Sequence, residues 1–151
     1  MSAQAASSSR IIIVGPGAIG TLFGALLARG GHDPFLLDHC PTRAAARNQN
    51  GIRVSDGGET WCVPINSATD VTDREPAGIV FICTKSYDTA AAVAAVTPSI
   101  GPDTIVVSLQ NGMGNAEAIL PVAPRHCVCA ATSMGAYLTP PCDNRTPPTL
   151  K

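Results

Sequence analysis

Three glycines spaced as G-x-G-x-x-G stand within Gly15-Pro16-Gly17-Ala18-Ile19-Gly20. The uninterrupted β-branched run Ile11–Val14 precedes them, and a segment with apolar residues at helical spacing follows. Between a buried strand and a helix, each glycine has a chemical use. Gly15 permits a tight turn, Gly17 lets backbone approach a pyrophosphate, and Gly20 allows the helix to pack close to the strand. Free N–H groups near Ala18 and Ile19, at the positive end of the helix dipole, suit a phosphate. A βα turn without a ligand is the plainer alternative, and the strand and helix on either side weigh against it.

Further along, Asp38 ends a second short apolar run, Phe35-Leu36-Leu37. An acidic side chain at that distance from the glycines can accept hydrogen bonds from adenosine ribose hydroxyls, which favours NAD(H). Arg43 and Arg47 follow within one or two helical turns and could instead pair with a 2′-phosphate. These residues alone leave the choice of cofactor open. Two polar segments lie directly after buried runs, where ligands bind in open parallel sheets. They are Thr84-Lys85-Ser86 and Gln110-Asn111-Gly112-Met113-Gly114. Lys85 is placed to reach a ribose or a carboxylate, and the Asn111 side chain offers both a donor and an acceptor. Standing alone, each reads as an ordinary solvated lysine or a turn.

The elements that position these groups alternate. Strands are expected at Ile11–Val14, Phe35–Asp38, Gly78–Cys83, Thr104–Leu109 and His126–Ala131. Helices are expected over Thr21–Arg29, from Pro41 to Asn50, over Asp88–Val96 and, after the loop Gln110–Gly114, to about Leu120. Ile52–Val54 and Thr60–Val63 flank Asp56-Gly57-Gly58 and read as a hairpin. The pattern predicts an α/β fold: a Rossmann-type, doubly wound, mostly parallel sheet with helices on both faces. Residues 1–9 read as a disordered leader, 10–139 as a dinucleotide-binding domain, and the proline-rich 140–151 as an irregular tail.

The bulk numbers agree with one globular domain: 151 residues, 45% hydrophobic and 14% charged. A formal charge of -1 and 4% aromatics give no reason to expect nucleic acid or an anionic membrane as partner. No apolar stretch approaches the roughly 20 residues of a membrane span. None of the six cysteines forms a C-x-x-C pair, and the three histidines are not spaced as zinc ligands, so no metal is expected. Cys83, Cys127 and Cys129 stand in apolar runs and read as reduced, buried thiols, which fits a cytoplasmic protein.

Taken together, the glycine motif, Thr84-Lys85 and Gln110-Asn111-Gly112-Met113-Gly114 resemble the N-terminal half of ketopantoate reductases (2-dehydropantoate 2-reductases). The resemblance runs from about Ile11 to Ala136 and keeps the spacing between all three motifs. It implies an NADP-dependent oxidoreductase that reduces 2-dehydropantoate to (R)-pantoate by hydride transfer, on the route to pantothenate and coenzyme A. It also implies that Lys85 and Asn111 contact the cofactor near the reacting centre, and that Ala136 lines the nicotinamide side. Where many relatives carry an arginine just after the second strand, this chain has Asp38-His39. NAD is therefore an alternative cofactor, and Arg43 or a partly protonated His39 is the substitute grip on a 2′-phosphate.

The same resemblance implies a helical second domain that supplies the catalytic lysine, a glutamate and most substrate contacts. These residues contain none of it, so no catalytic residue is assigned and the chain reads as truncated. It is expected to bind dinucleotide without turning over, and an apolar face left uncovered would favour a homodimer. Two other readings stand beside this one: another NAD(P)-dependent hydroxyacid-type dehydrogenase, and a non-catalytic dinucleotide-sensing module.

Overall fold

The computed structural model describes residues 10–71, 75–123, 125–139 and 149–150. The expected leader 1–9 and most of the tail, including Cys142, lie outside them. In chain order the elements are β1 (Ile11–Val14), α1 (Ala18–Arg29), β2 (Pro34–Leu37), α2 (Pro41–Asn50), β3 (Ile52–Asp56), β4 (Glu59–Val63) and β5 (Asn66–Ala68). Then follow β6 (Ile79–Ile82), α3 (Thr89–Val96), β7 (Ile105–Ser108), α4 (Asn115–Ile119), β8 (Cys127–Cys129), β9 (Leu138–Thr139) and β10 (Thr149–Leu150).

All four side chains of β1 are buried because the strand lies mid-sheet with a layer on each face. Side chains alternate across a strand. Ile12 and Val14 enter one apolar cluster with Val93 and Val96 of α3 and Ile119 of α4. Ile11 and Ile13 enter the other, with Leu22 and Ala25 of α1 and Ile52 and Val63 of the β3–β4 hairpin. A strand buried on both faces cannot afford a polar alternation, which is why its sequence is a continuous apolar run.

The main sheet has the order β5-β2-β1-β6-β7-β8, with every neighbouring pair parallel. From β1 the chain winds outward through β2 to β5, then returns to β6 and winds the other way through β7 to β8. This is the doubly wound Rossmann arrangement, and the winding reverses between β1 and β6. The crevice that forms at that reversal opens at the carboxyl ends of β1 and β6.

Three features depart from the sequence expectations. β5 is a strand that no apolar run announces; it exists through pairing with β2 and through Asn48, whose side chain bonds the Ser67 carbonyl and amide, each at 2.8 Å. A second sheet, β4-β3-β10-β9, forms where only a hairpin was expected. In it Thr149–Leu150, expected as irregular tail, pairs with β3 and β9. Cys129 is exposed, because β8 is the outer strand of the main sheet among the described residues. Among the described residues no helix covers β7 and β8 on the α1 side of the sheet, and Ile105 and Val128 are exposed.

Candidate functional site

The crevice is a cleft of about 470 Å³ whose walls include Val14, Gly15, Pro16 and Gly17, then Asp38, His39 and Arg43, and opposite them Cys83, Thr84, Lys85, Tyr87 and Asp88. β1 delivers the glycine loop, β2 delivers Asp38, and β6 delivers Thr84-Lys85. The sheet thus carries three segments, far apart in sequence, to one rim.

Gly15 has φ +70°, and a Cβ there would collide with the Thr84 side chain. Only glycine fits the turn at that closeness. At Gly20 a Cβ would lie 3.0 Å from Cys83 Cβ and 3.2 Å from Ile13 Cγ2, so the missing side chain is what lets α1 settle against β1 and β6. Gly17 differs: a Cβ would meet nothing within 4 Å and would project into open space. Gly17 lines the cleft.

Gly17 also precedes the first turn of α1, where no side chain caps the helix and no acidic residue sits. The amides of Ala18, Ile19 and Gly20 have no intrahelical acceptor in that turn. Thr21 is buried, and its hydroxyl donates to the Pro16 carbonyl at 2.9 Å; Arg47 Nη2 donates to the same oxygen at 2.9 Å. The loop is therefore pinned from behind while its amides stay uncapped.

Asp38 lies one residue beyond β2, and its carboxylate is fully buried. Oδ1 accepts from the Cys40 amide at 3.0 Å and from Arg43 Nη2 at 2.7 Å; Oδ2 accepts from Arg43 Nε at 3.0 Å and from Arg47 Nη1. Burial alone would raise the carboxyl, but the bonds from Arg43, Arg47 and Cys40 outweigh it and bring the pKa down to about 2. The neighbouring Cys83 thiol is pushed up to about 12 by burial, so it stays protonated and is no nucleophile.

The Lys85 and Asn111 loops are braced to each other by side chains that the sequence reading passed over. Gln110 Nε2 donates to the Thr84 carbonyl at 3.0 Å and to Thr89 Oγ1 at 2.8 Å. Buried Asn115 accepts from Thr89 Oγ1 at 3.1 Å and donates to the Gly112 carbonyl at 3.2 Å. Polar residues placed just past a strand and at the start of a helix were the available signal for Gln110 and Thr89.

Residues 11–145 match the family model described as ketopantoate reductase PanE/ApbA. The chain belongs to the ketopantoate reductase family. It is 35% identical over 134 residues to a 2-dehydropantoate 2-reductase of Halobacterium salinarum, a match covering 87% of this chain and 44% of the relative. A 2-dehydropantoate 2-reductase of Pyrococcus abyssi is 33% identical over 132 residues, covering 87% and 42%. The crystal structure of a PanE/ApbA family ketopantoate reductase from Ralstonia eutropha superposes with a TM-score of 0.75 at 27% identity, over 94% of this chain and 45% of that one. The chain thus spans less than half the length of the ketopantoate reductases it matches.

Of the residues singled out from sequence, the cleft brings Gly15, Pro16, Gly17, Asp38 and Lys85 together on its walls. Ala18, Ile19 and Gly20 form the first turn of α1 behind them. Asn111 is exposed on the loop after β7, tethered through its carbonyl to Asn115. Ala136 stands apart from the others. It lines a separate hollow of about 290 Å³ with Leu22, Leu26, Trp61 and Met134, on the α1 side of the sheet. In that hollow Arg29 stacks over the Trp61 ring at 4.6 Å and bonds Glu59 at 3.1 Å.

Proposed function

We propose that this chain is the NADP(H)-binding domain of a 2-dehydropantoate 2-reductase, an enzyme that reduces 2-dehydropantoate to (R)-pantoate in pantothenate and coenzyme A biosynthesis. The observation that carries the reading is the cleft at the winding reversal, with an uncapped helix start and an open Gly17 on one lip and Lys85 on the other. The pyrophosphate is assigned to the loop Gly15-Pro16-Gly17-Ala18-Ile19-Gly20, where α1 amides and the helix dipole favour an anion. Lys85 and Asn111, on two loops braced by Gln110, are assigned to the ribose nearer the reacting end. Asp38 belongs to the adenosine end, and Ala136 is assigned to the nicotinamide side.

When bound, NADPH supplies the hydride; the protein's tasks are to orient it, to place a keto acid and to protonate the developing alkoxide. No described side chain is assigned to the last two tasks, so the proposal for these residues is binding without turnover. Five free thiols among the described residues suit a reducing compartment and support a cytoplasmic setting.

Mixing the chain with NADPH and 2-dehydropantoate tests this directly. Nucleotide fluorescence should change on binding while absorbance at the reduced-nicotinamide band stays constant. Absence of any binding to folded protein would overturn the reading.

A further inference from the structure

We propose that Cys127 and Cys129, on the strand β8, form a two-thiolate site for a soft monovalent cation of the Cu(I) kind. The inference stands apart from the dinucleotide reading and does not depend on it.

Side chains two residues apart on a strand point to the same face, so the spacing Cys127-Val128-Cys129 sets two thiols side by side. The register is unbroken across them: Cys127 pairs with Val106 and Cys129 with Ser108. Packing settles which face they share. Cys127 lies against the apolar cluster that contains Val96 of α3 and Ile119 of α4, so both thiols are on that side of the sheet. Cys127 is half-buried at the margin of the cluster, and Cys129 is exposed. Among the described residues β8 pairs with β7 alone, so no further strand screens the pair.

Both thiols are free. Burial, and then the Cys129 thiol beside it, push the Cys127 pKa up, so Cys127 is protonated near neutral pH and is a poor nucleophile. A ligand must displace its proton, as a thiophilic cation does.

Spacing separates a bridging ion from a disulfide. Residues two apart on a strand have Cα atoms about 6.5 Å from each other. That is the far end of the roughly 4.4–6.8 Å that a disulfide accepts. One ion held by two thiolate bonds of about 2.3 Å spans about 4.6 Å in line, which the sulfurs reach by leaning inward. Ligand number then selects the ion. No group of three or more His, Cys, Asp or Glu residues able to hold a metal occurs among the described residues. A tetrahedral ion such as zinc would lack ligands there. A soft cation content with two thiolates would not. On binding, each thiol releases its proton, two sulfur–metal bonds form and no electron moves.

Two probes test the site on wild type, Cys129→Ser and, as a control at another exposed thiol, Cys62→Ser. Phenylarsine oxide bridges only neighbouring thiols, forming two S–As bonds with loss of one water, and so reports the spacing. Cu(I) alone, titrated anaerobically against bicinchoninate, reports the ion. Wild type and Cys62→Ser should each take one arsenical that survives excess glutathione, read by intact mass. Both should also hold Cu(I) about tenfold or more tighter than Cys129→Ser, since even an outer-shell partner of a metal is worth that much. Cys129 is exposed, so its serine variant should fold as wild type does, and the half-buried Cys127→Ser is the second variant expected to lose both ligands. No stable arsenical on wild type, or undiminished uptake by Cys129→Ser, would overturn the paired site. Arsenical uptake with equal Cu(I) affinity in wild type and Cys129→Ser would overturn the choice of ion.

Discussion

The buried Arg47 guanidinium grips the Asp38 carboxylate with Nη1 and the Pro16 carbonyl with Nη2 at 2.9 Å, so one side chain of α2 locks the end of β2 to the glycine loop. Removing one member of a buried pair leaves the other uncompensated, at a cost of about 3–5 kcal/mol. Arg47→Met should therefore lower the thermal midpoint by about 10 °C. Arg43→Met, at a half-exposed residue, should cost about 1 kcal/mol or less. Thermal unfolding followed by circular dichroism separates the two, and equal losses would contradict the assigned roles.

Acid should act through the same carboxylate. In the folded chain Asp38 sits at about 2 against a usual 3.8, because its arginine and amide partners favour the charged form. A depressed folded pKa gives stability that is complete above the unfolded value and lost as pH falls. The window runs from about pH 4 down to about pH 2, and the contribution is about 2 kcal/mol. Denaturant midpoints measured across that window should fall for wild type and show a flatter response in Asp38→Asn.

Gly15 and Gly17 should separate folding from binding. Gly15→Ala places a side chain at positive φ against Thr84, and about 1–3 kcal/mol of stability should go with it. Gly17→Ala meets nothing within 4 Å and should leave the melting temperature within about 2 °C while weakening nucleotide binding. A Gly17→Ala variant that melts early but binds normally would contradict the cleft assignment.

Gln110→Ala removes the bonds to the Thr84 carbonyl and to Thr89 Oγ1 that brace the Lys85 and Asn111 loops. Loss of such partly buried bonds costs about 1–3 kcal/mol. Hydrogen exchange should quicken at Thr84–Ser86 and at Gly112–Gly114, and not in β1 or β2. Uniform quickening across the sheet would assign Gln110 to the fold at large.

What could be read from sequence was local. β1, the glycine loop and the alternation of strands and helices follow from residue types within a few positions of one another, and all stand as expected. β5 did not, because Asn66-Ser67-Ala68 has no apolar pattern and is held by β2 and Asn48. The pairing of Asp38 with Arg43 and Arg47 requires α2 to fold back against β2, a long-range contact that spacing alone does not show. The resemblance implied a nicotinamide-side place for Ala136, and the fold sets that residue in a hollow on the α1 side. Cys129 looked buried because apolar neighbours mark a strand, while only topology shows that the strand is outermost among the described residues.

Calorimetric titration of NADPH into the wild-type chain and into Gly17→Asp is the most direct test of the central claim. The account predicts saturable one-to-one binding to wild type, abolished in Gly17→Asp, with both proteins melting at the same temperature, since the added carboxylate enters open space on the lip proposed to receive the pyrophosphate. Equal binding to both proteins, or none to a folded wild type, would contradict it.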